Sequence, residues 1–212
     1  MRIHGLYAIA DPSVLPGAPL AELCGTLARA GASVVQIRWK GAPARELLAA
    51  ARAAVPLVHA AGAALVVNDR PDVALLAGAD GVHVGADDLP VAEVRALVGD
   101  RRLAIGATVR DLAGARAAAA AGADHVGFGP VFPTATKVVD AAPRGLEMLR
   151  EVCAGSPVPV VAIAGIGLAN VGAVAAAGAA AAAVVSELLR APSIEAHARA
   201  LVDAFDAGAR AR

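Results

Sequence analysis

Ala121-Gly122-Ala123-Asp124-His125-Val126-Gly127-Phe128 decides the fold, because its first three residues recur along the chain. Ala-Gly-Ala also stands at 30–32, 61–63, 77–79 and 177–179. Each copy follows an Ala/Leu/Arg-rich stretch with helical spacing. Each precedes a short apolar run, at 34–37, 65–67, 81–84, 125–128 and 181–185. Glycine just past a helix end relieves the left-handed conformation that closes the helix. An apolar run without alternation reads as a strand buried on both faces, as parallel strands are. The phrase therefore marks a helix-to-strand turn.

Working outward, three more runs complete the strands, at 6–10, 103–105 and 158–163. Helical stretches lie at 18–29, 44–60, 71–76, 91–98, 112–120, 145–153, 169–176 and 193–205. Alternating βα units require a parallel sheet, open and doubly wound or closed. Eight units favour closure, so the chain is expected to be α/β, a single (β/α)8 TIM barrel domain over residues 1–212.

Composition narrows the function. The 212 residues carry 19 Lys+Arg against 19 Asp+Glu, which offers nucleic acid or an anionic membrane no electrostatic hold. With 58% hydrophobic residues and 2% aromatic, disorder is excluded and the core must be built from aliphatic side chains. The longest charge-free apolar run, 171–185, is shorter than the ~20 residues that span a bilayer. Asp11 interrupts the N-terminal segment before a signal-peptide core can form, and a cytoplasmic protein is expected. Cys24 and Cys153 make no disulfide framework and read as small buried hydrophobes.

Polar exceptions locate the site. The chain has 58 Ala and 17 Arg, yet only two lysines (Lys40, Lys137), one Gln (Gln36) and two Asn (Asn68, Asn170). All five fall just after strand runs, on the rim where a barrel keeps its active site. Gln36, Arg38 and Lys40 follow strand 2 at a spacing of two, which puts them on one face of extended backbone. Asn68 and Asp69 follow strand 3, Asp87 and Asp88 strand 4, and Thr108 strand 5. The segment from Gly129 through Thr134 and Thr136 to Lys137 follows strand 6. Ala164, Gly165, Ile166 and Gly167 follow strand 7, and Ser186 strand 8.

Arg38, Lys40 and Lys137 supply three positive charges suited to a polyanion. Asp69 and Asp88 are hard oxygen donors of the kind Mg²⁺ takes beside waters and substrate phosphates. Gly165 and Ser186 stand where barrels commonly hold a monophosphate on backbone N–H groups. Two anion sites on one rim suggest a two-substrate reaction with a diphosphate leaving group. Plainer readings stand beside these. Arg38 and Lys40 can be a solvated pair, Asp69 a helix cap before Pro71, and the segment after strand 6 a simple loop. Of Asp87 and Asp88, one is expected to cap the next helix and one to be a ligand. His59, His125 and His197 receive no role, and Trp39 is expected to pack.

At these residues the chain resembles the thiamine-phosphate synthase family, over nearly its whole length. The family patterns Q-x-R-x-K, N-D, H-x-G-x-x-D, G-P-x-F-x-T-x-T-K and A-V-V-S match Gln36 to Lys40, Asn68-Asp69, His83 to Asp88, Gly129 to Lys137 and Ala183 to Ser186. The resemblance implies a barrel that joins hydroxymethylpyrimidine diphosphate to a thiazole phosphate, releasing diphosphate by a dissociative route. It implies Mg²⁺ held by Asp69 and Asp88, and catalytic roles for Arg38 and Lys137. Gln36, Arg38, Lys40, Asn68, Thr108 and Lys137 are implied to bind the pyrimidine diphosphate. Thr134, Thr136, Ala164, Gly165, Val185 and Ser186 are implied to bind the thiazole phosphate. Its partners would be small phosphorylated molecules, with the oligomeric state open and a homodimer one option. The related thiazole tautomerase, whose proton-shuttling His matches Arg110, and a non-catalytic phosphate-binding barrel are the alternatives. The family commonly has Gly where Ala164 stands. Ala164 is expected to have a negative φ, with its methyl in the barrel wall.

Overall fold

In the computed structural model, which describes residues 1–134 and 142–211, eight parallel strands close into a barrel in chain order. They are β1 (Gly5–Ala10), β2 (Val34–Ile37), β3 (Ala64–Asn68), β4 (Gly81–Val84), β5 (Ala104–Val109), β6 (His125–Phe128), β7 (Val160–Ala162) and β8 (Ala181–Val184). Pairing of Gly5 to Ala8 with Ala181 to Val184 closes the ring. The helices are α1 (Leu20–Arg29), α2 (Ala44–Ala60), α3 (Pro71–Ala77), α4 (Val91–Val98), α5 (Leu112–Ala120), α6 (Gly145–Gly155), α7 (Val171–Ala176), α8 (Ser186–Leu189) and α9 (Ile194–Arg210). All five Ala-Gly-Ala glycines have positive φ, between 73° and 104°, so the phrase does turn each helix into the next strand.

Two sequence expectations are corrected here. The strand at 103–105 extends to Val109, so Thr108 lies inside β5 rather than after it. The eight expected helices miss α8, a four-residue turn of helix between β8 and α9. Its apolar residues, Leu188 and Leu189, are too few to show a helical period, and the element is fixed by tertiary packing.

Side-chain alternation separates two cores. On β3, Leu65 and Val67 face the helices, while Ala64 and Val66 face the barrel axis with Tyr7, Val34, Val161, Ala181 and Ala183. Continuing that inner face by two residues brings Asn68 to the rim, and the same count takes Val34 to Gln36 and Arg38. The strand pattern thus aims the polar exceptions inward at the C-terminal end. Cys24 is fully buried and Trp39 packs on the outer core, as expected.

Candidate active site

The C-terminal mouth opens into a cavity of about 1320 Å³. Deep on one wall the Tyr7 hydroxyl donates to Gln36 Oε1 at 2.7 Å, and Gln36 Nε2 donates to Asn68 Oδ1 at 2.8 Å. Tyr7 and Gln36 are buried, and Asn68 is partly open to the cavity. Across the axis His83 Nε2 meets Thr108 Oγ1 at 2.9 Å. The Gly106 backbone makes room for both His83 and His125, since a Cβ there would sit 2.5 Å from one imidazole and 2.3 Å from the other. His125 is fully buried, as expected of a core histidine, and burial followed by the nearby His83 pushes its pKa down to about 3.

Arg38 is neither solvated nor loose. Its Nη1 donates to Asp11 Oδ2, and Asp11 is 1% exposed. The other Asp11 oxygen accepts from Ser13 N at 2.9 Å and Ser13 Oγ at 2.6 Å. Sequence reasoning missed Asp11, although it directly follows β1 and lies on the inner face with Tyr7 and Ile9. The rule applied to the other strands would have found it.

Lys40 Nζ lies 2.5 Å from Asp69 Oδ2. Asp69 is a left-handed residue, φ 63°, and the cap of α3 is Arg70 without a side-chain bond, so the helix-cap reading of Asp69 fails. Burial and a hydrogen bond with Asp88 raise the Asp69 pKa above its ordinary value, while Lys40 opposes the rise. Asp88 also accepts from Gly85 N at 2.7 Å. Asp87 is exposed and caps nothing: α4 begins after Pro90 with no side-chain cap, because the intervening Leu89-Pro90 holds both aspartates back from the helix. Two carboxylates crowded against one another fit a divalent cation, whose charge removes their repulsion. Among the described residues no group of three or more His, Cys, Asp or Glu side chains offers a fuller metal site.

On the far side of the mouth, Asn170 Oδ1 accepts from Gly167 N and its Nδ2 donates to Gly165 O, both at 2.9 Å. Leu168 N donates to Glu187 Oε1 at 3.1 Å. Val185 and Ser186 open α8, so a short extra helix follows β8 beside the β7 loop, the arrangement in which barrels hold phosphate. Ala164 departs from expectation. Its φ is 73°, not negative, and it is followed by a second left-handed residue, Gly165 at 68°. Phe132 N donates to the Ala164 carbonyl at 3.3 Å. Thr134 lines the cavity, whereas Thr136 and Lys137 lie outside the described residues.

The model of the thiamine monophosphate synthase family matches residues 6–188. The chain belongs to that family. It is 54% identical to the thiamine-phosphate synthase of Myxococcus xanthus, over 97% of this chain and 94% of that one. It is 51% identical to that of Anaeromyxobacter dehalogenans, over 100% and 92% respectively. The solved thiamine phosphate pyrophosphorylase of Pyrococcus furiosus superposes with a TM-score of 0.87 at 34% identity, covering 96% of both chains. Mycobacterium tuberculosis tryptophan synthase, at 18% identity and a TM-score of 0.73, shares the fold alone. No helix among the described residues is long and apolar enough to cross a membrane.

Proposed function

We propose that this protein is a thiamine-phosphate synthase of the cytoplasm, condensing hydroxymethylpyrimidine diphosphate with hydroxyethylthiazole phosphate. The observation that carries the reading is the joint geometry of Lys40, Asp69 and Asp88 on one side of the cavity and the β7–α8 cradle on the other. The first suits a diphosphate, the second a monophosphate, and the gap between them suits the joining of two rings.

In this reading the C–O bond of the hydroxymethyl diphosphate breaks, its electron pair leaves with diphosphate, and the thiazole nitrogen donates its lone pair to the carbon left cationic. The protein's task is to stabilise the departing charge rather than to move a proton. Arg38, fixed by Asp11, acts on the diphosphate together with Lys40 and Lys137. Gln36, Asn68 and Thr108 hold the pyrimidine. Thr134, Thr136, Ala164, Gly165, Val185 and Ser186 surround the thiazole phosphate. Asp69 and Asp88 would hold Mg²⁺, which when bound supplies further charge neutralisation at the diphosphate. Arg110 stands where the tautomerase has its proton-shuttling His, and a guanidinium does not exchange protons at neutral pH. The test is incubation of the protein with both phosphorylated precursors and Mg²⁺. Appearance of thiamine phosphate and diphosphate in equal amounts supports the reading, and neither appearing ends it.

A further inference from the structure

The Tyr7 hydroxyl has one proton to give. Among the described residues its partner is Gln36 Oε1, and a carbonyl oxygen only accepts, so the phenol is the donor. Burial raises the Tyr7 pKa far above its ordinary value, so that proton stays in place. With its oxygen engaged, the Gln36 amide must turn its nitrogen toward Asn68, whose Oδ1 accepts at 2.8 Å. Asn68, which lines the cavity, has its Oδ1 occupied by that bond, and no hydrogen bond among the described residues uses its Nδ2. Each amide has two possible orientations; in the flipped pair the phenol would accept from Gln36 and its own buried proton would lose its acceptor among the described residues, which favours the orientation seen for both.

We propose that Tyr7 is a positioning residue that sets substrate specificity: its donation to Gln36 locks the Gln36–Asn68 pair with N–H groups toward the cavity, so the bound ring must present an acceptor nitrogen. This rests on the synthase reading for the identity of the ring, a pyrimidine. Tyr7 itself does not touch the ligand in this scheme. It acts through two amides, and its removal frees them to flip and to offer a carbonyl where a donor is needed. A site built around a hydrogen bond rejects an analogue that lacks it.

The test measures binding by calorimetry, without turnover. The ligands are hydroxymethylpyrimidine diphosphate and its two deaza analogues, in each of which one ring nitrogen is replaced by C–H. Wild-type protein should bind at least one analogue roughly tenfold more weakly than the pyrimidine, the order expected for one lost hydrogen bond in a buried site. Tyr7→Phe should weaken pyrimidine binding and shrink that discrimination to about threefold or less, with Kd for the thiazole phosphate unmoved. If Tyr7→Phe fails to melt cooperatively, Tyr7→Met, which also removes the hydroxyl and leaves both amides in place, serves instead and should shrink the discrimination in the same way. A folded Tyr7→Phe protein with wild-type affinity and discrimination overturns the proposal. So does wild-type protein that binds all three compounds equally, or none. Selective pyrimidine binding without any thiamine phosphate formed would instead sink the synthase reading and leave the relay standing.

Discussion

The guanidinium of Arg38 is anchored to the carboxylate of Asp11, which is buried below the rim and braced on its other oxygen by Ser13. The pair ties the end of β2 to the end of β1 and leaves the rest of the guanidinium to the cavity. On the proposed reading, Asp11 is a positioning residue that sets Arg38 against the diphosphate. Asp11→Ala should lower kcat on the order of 100-fold, the scale on which small misplacements of a reacting group act. KM for the thiazole phosphate should stay near normal, and Asp11→Glu should recover part of the loss. A steady-state KM-against-kcat comparison, with melting curves for folding, checks this. An equal loss toward both substrates would mean that Asp11 merely supports the fold.

Metal dependence separates the three neighbouring aspartates. Asp69 and Asp88 interact and Asp87 is exposed, so the proposed Mg²⁺ site takes only the first two. Asp69→Ala and Asp88→Ala should raise the Mg²⁺ concentration needed for half-maximal activity by about tenfold or more. Asp87→Ala should titrate like wild type. Loss of Mg²⁺ dependence on Asp87→Ala alone would reverse the assignment.

Most of the barrel was legible because one turn phrase repeats and parallel strands are apolar throughout. The rim was legible because amides and lysines are rare in this chain. Asp11 escaped because aspartate is common in this chain, and Tyr7, although the only tyrosine, because it lies inside an apolar strand run: what marks both is the inward face of β1, which a run buried on both sides does not reveal. α8 escaped because its four residues are set by packing, not by any period. The Ala164 φ escaped because alanine carries no signal for a left-handed backbone.

His125 gives the protein an acid liability. Its pKa falls from 6.5 to about 3, through burial first and His83 second, so the folded state keeps the imidazole neutral. The unfolded chain takes up the proton once pH drops below about 6.5. Stability is therefore intact above that pH and is lost as pH falls from 6.5 toward 3, by up to ~1.4 kcal/mol per pH unit from this group. His125→Phe should flatten the dependence of the denaturant midpoint on pH in that window, relative to wild type. Parallel wild-type and variant curves would show that other groups govern acid unfolding.

Ala164 is the residue whose replacement should improve the protein. A left-handed backbone costs an L-residue roughly 1–2 kcal/mol, and glycine escapes the cost while adding somewhat more entropy to the unfolded chain. Ala164→Gly should thus be neutral to stabilising, by about 1 kcal/mol at most, which for a domain of this size is a rise of about 2–4 °C in Tm. Ala164 is also part of the cavity lining, in the loop proposed to carry the thiazole phosphate. Removing the methyl lets the backbone at 164 and 165 approach that phosphate more closely, so KM for the thiazole phosphate should fall several-fold. KM for the pyrimidine diphosphate should not change, because Gln36 and Asn68 stand on β2 and β3 and Arg38 just after β2. Differential scanning calorimetry and two-substrate kinetics read the two effects separately. A lower Tm would show that the left-handed turn is not strained. An unchanged thiazole-phosphate KM would show that the methyl lies clear of the ligand.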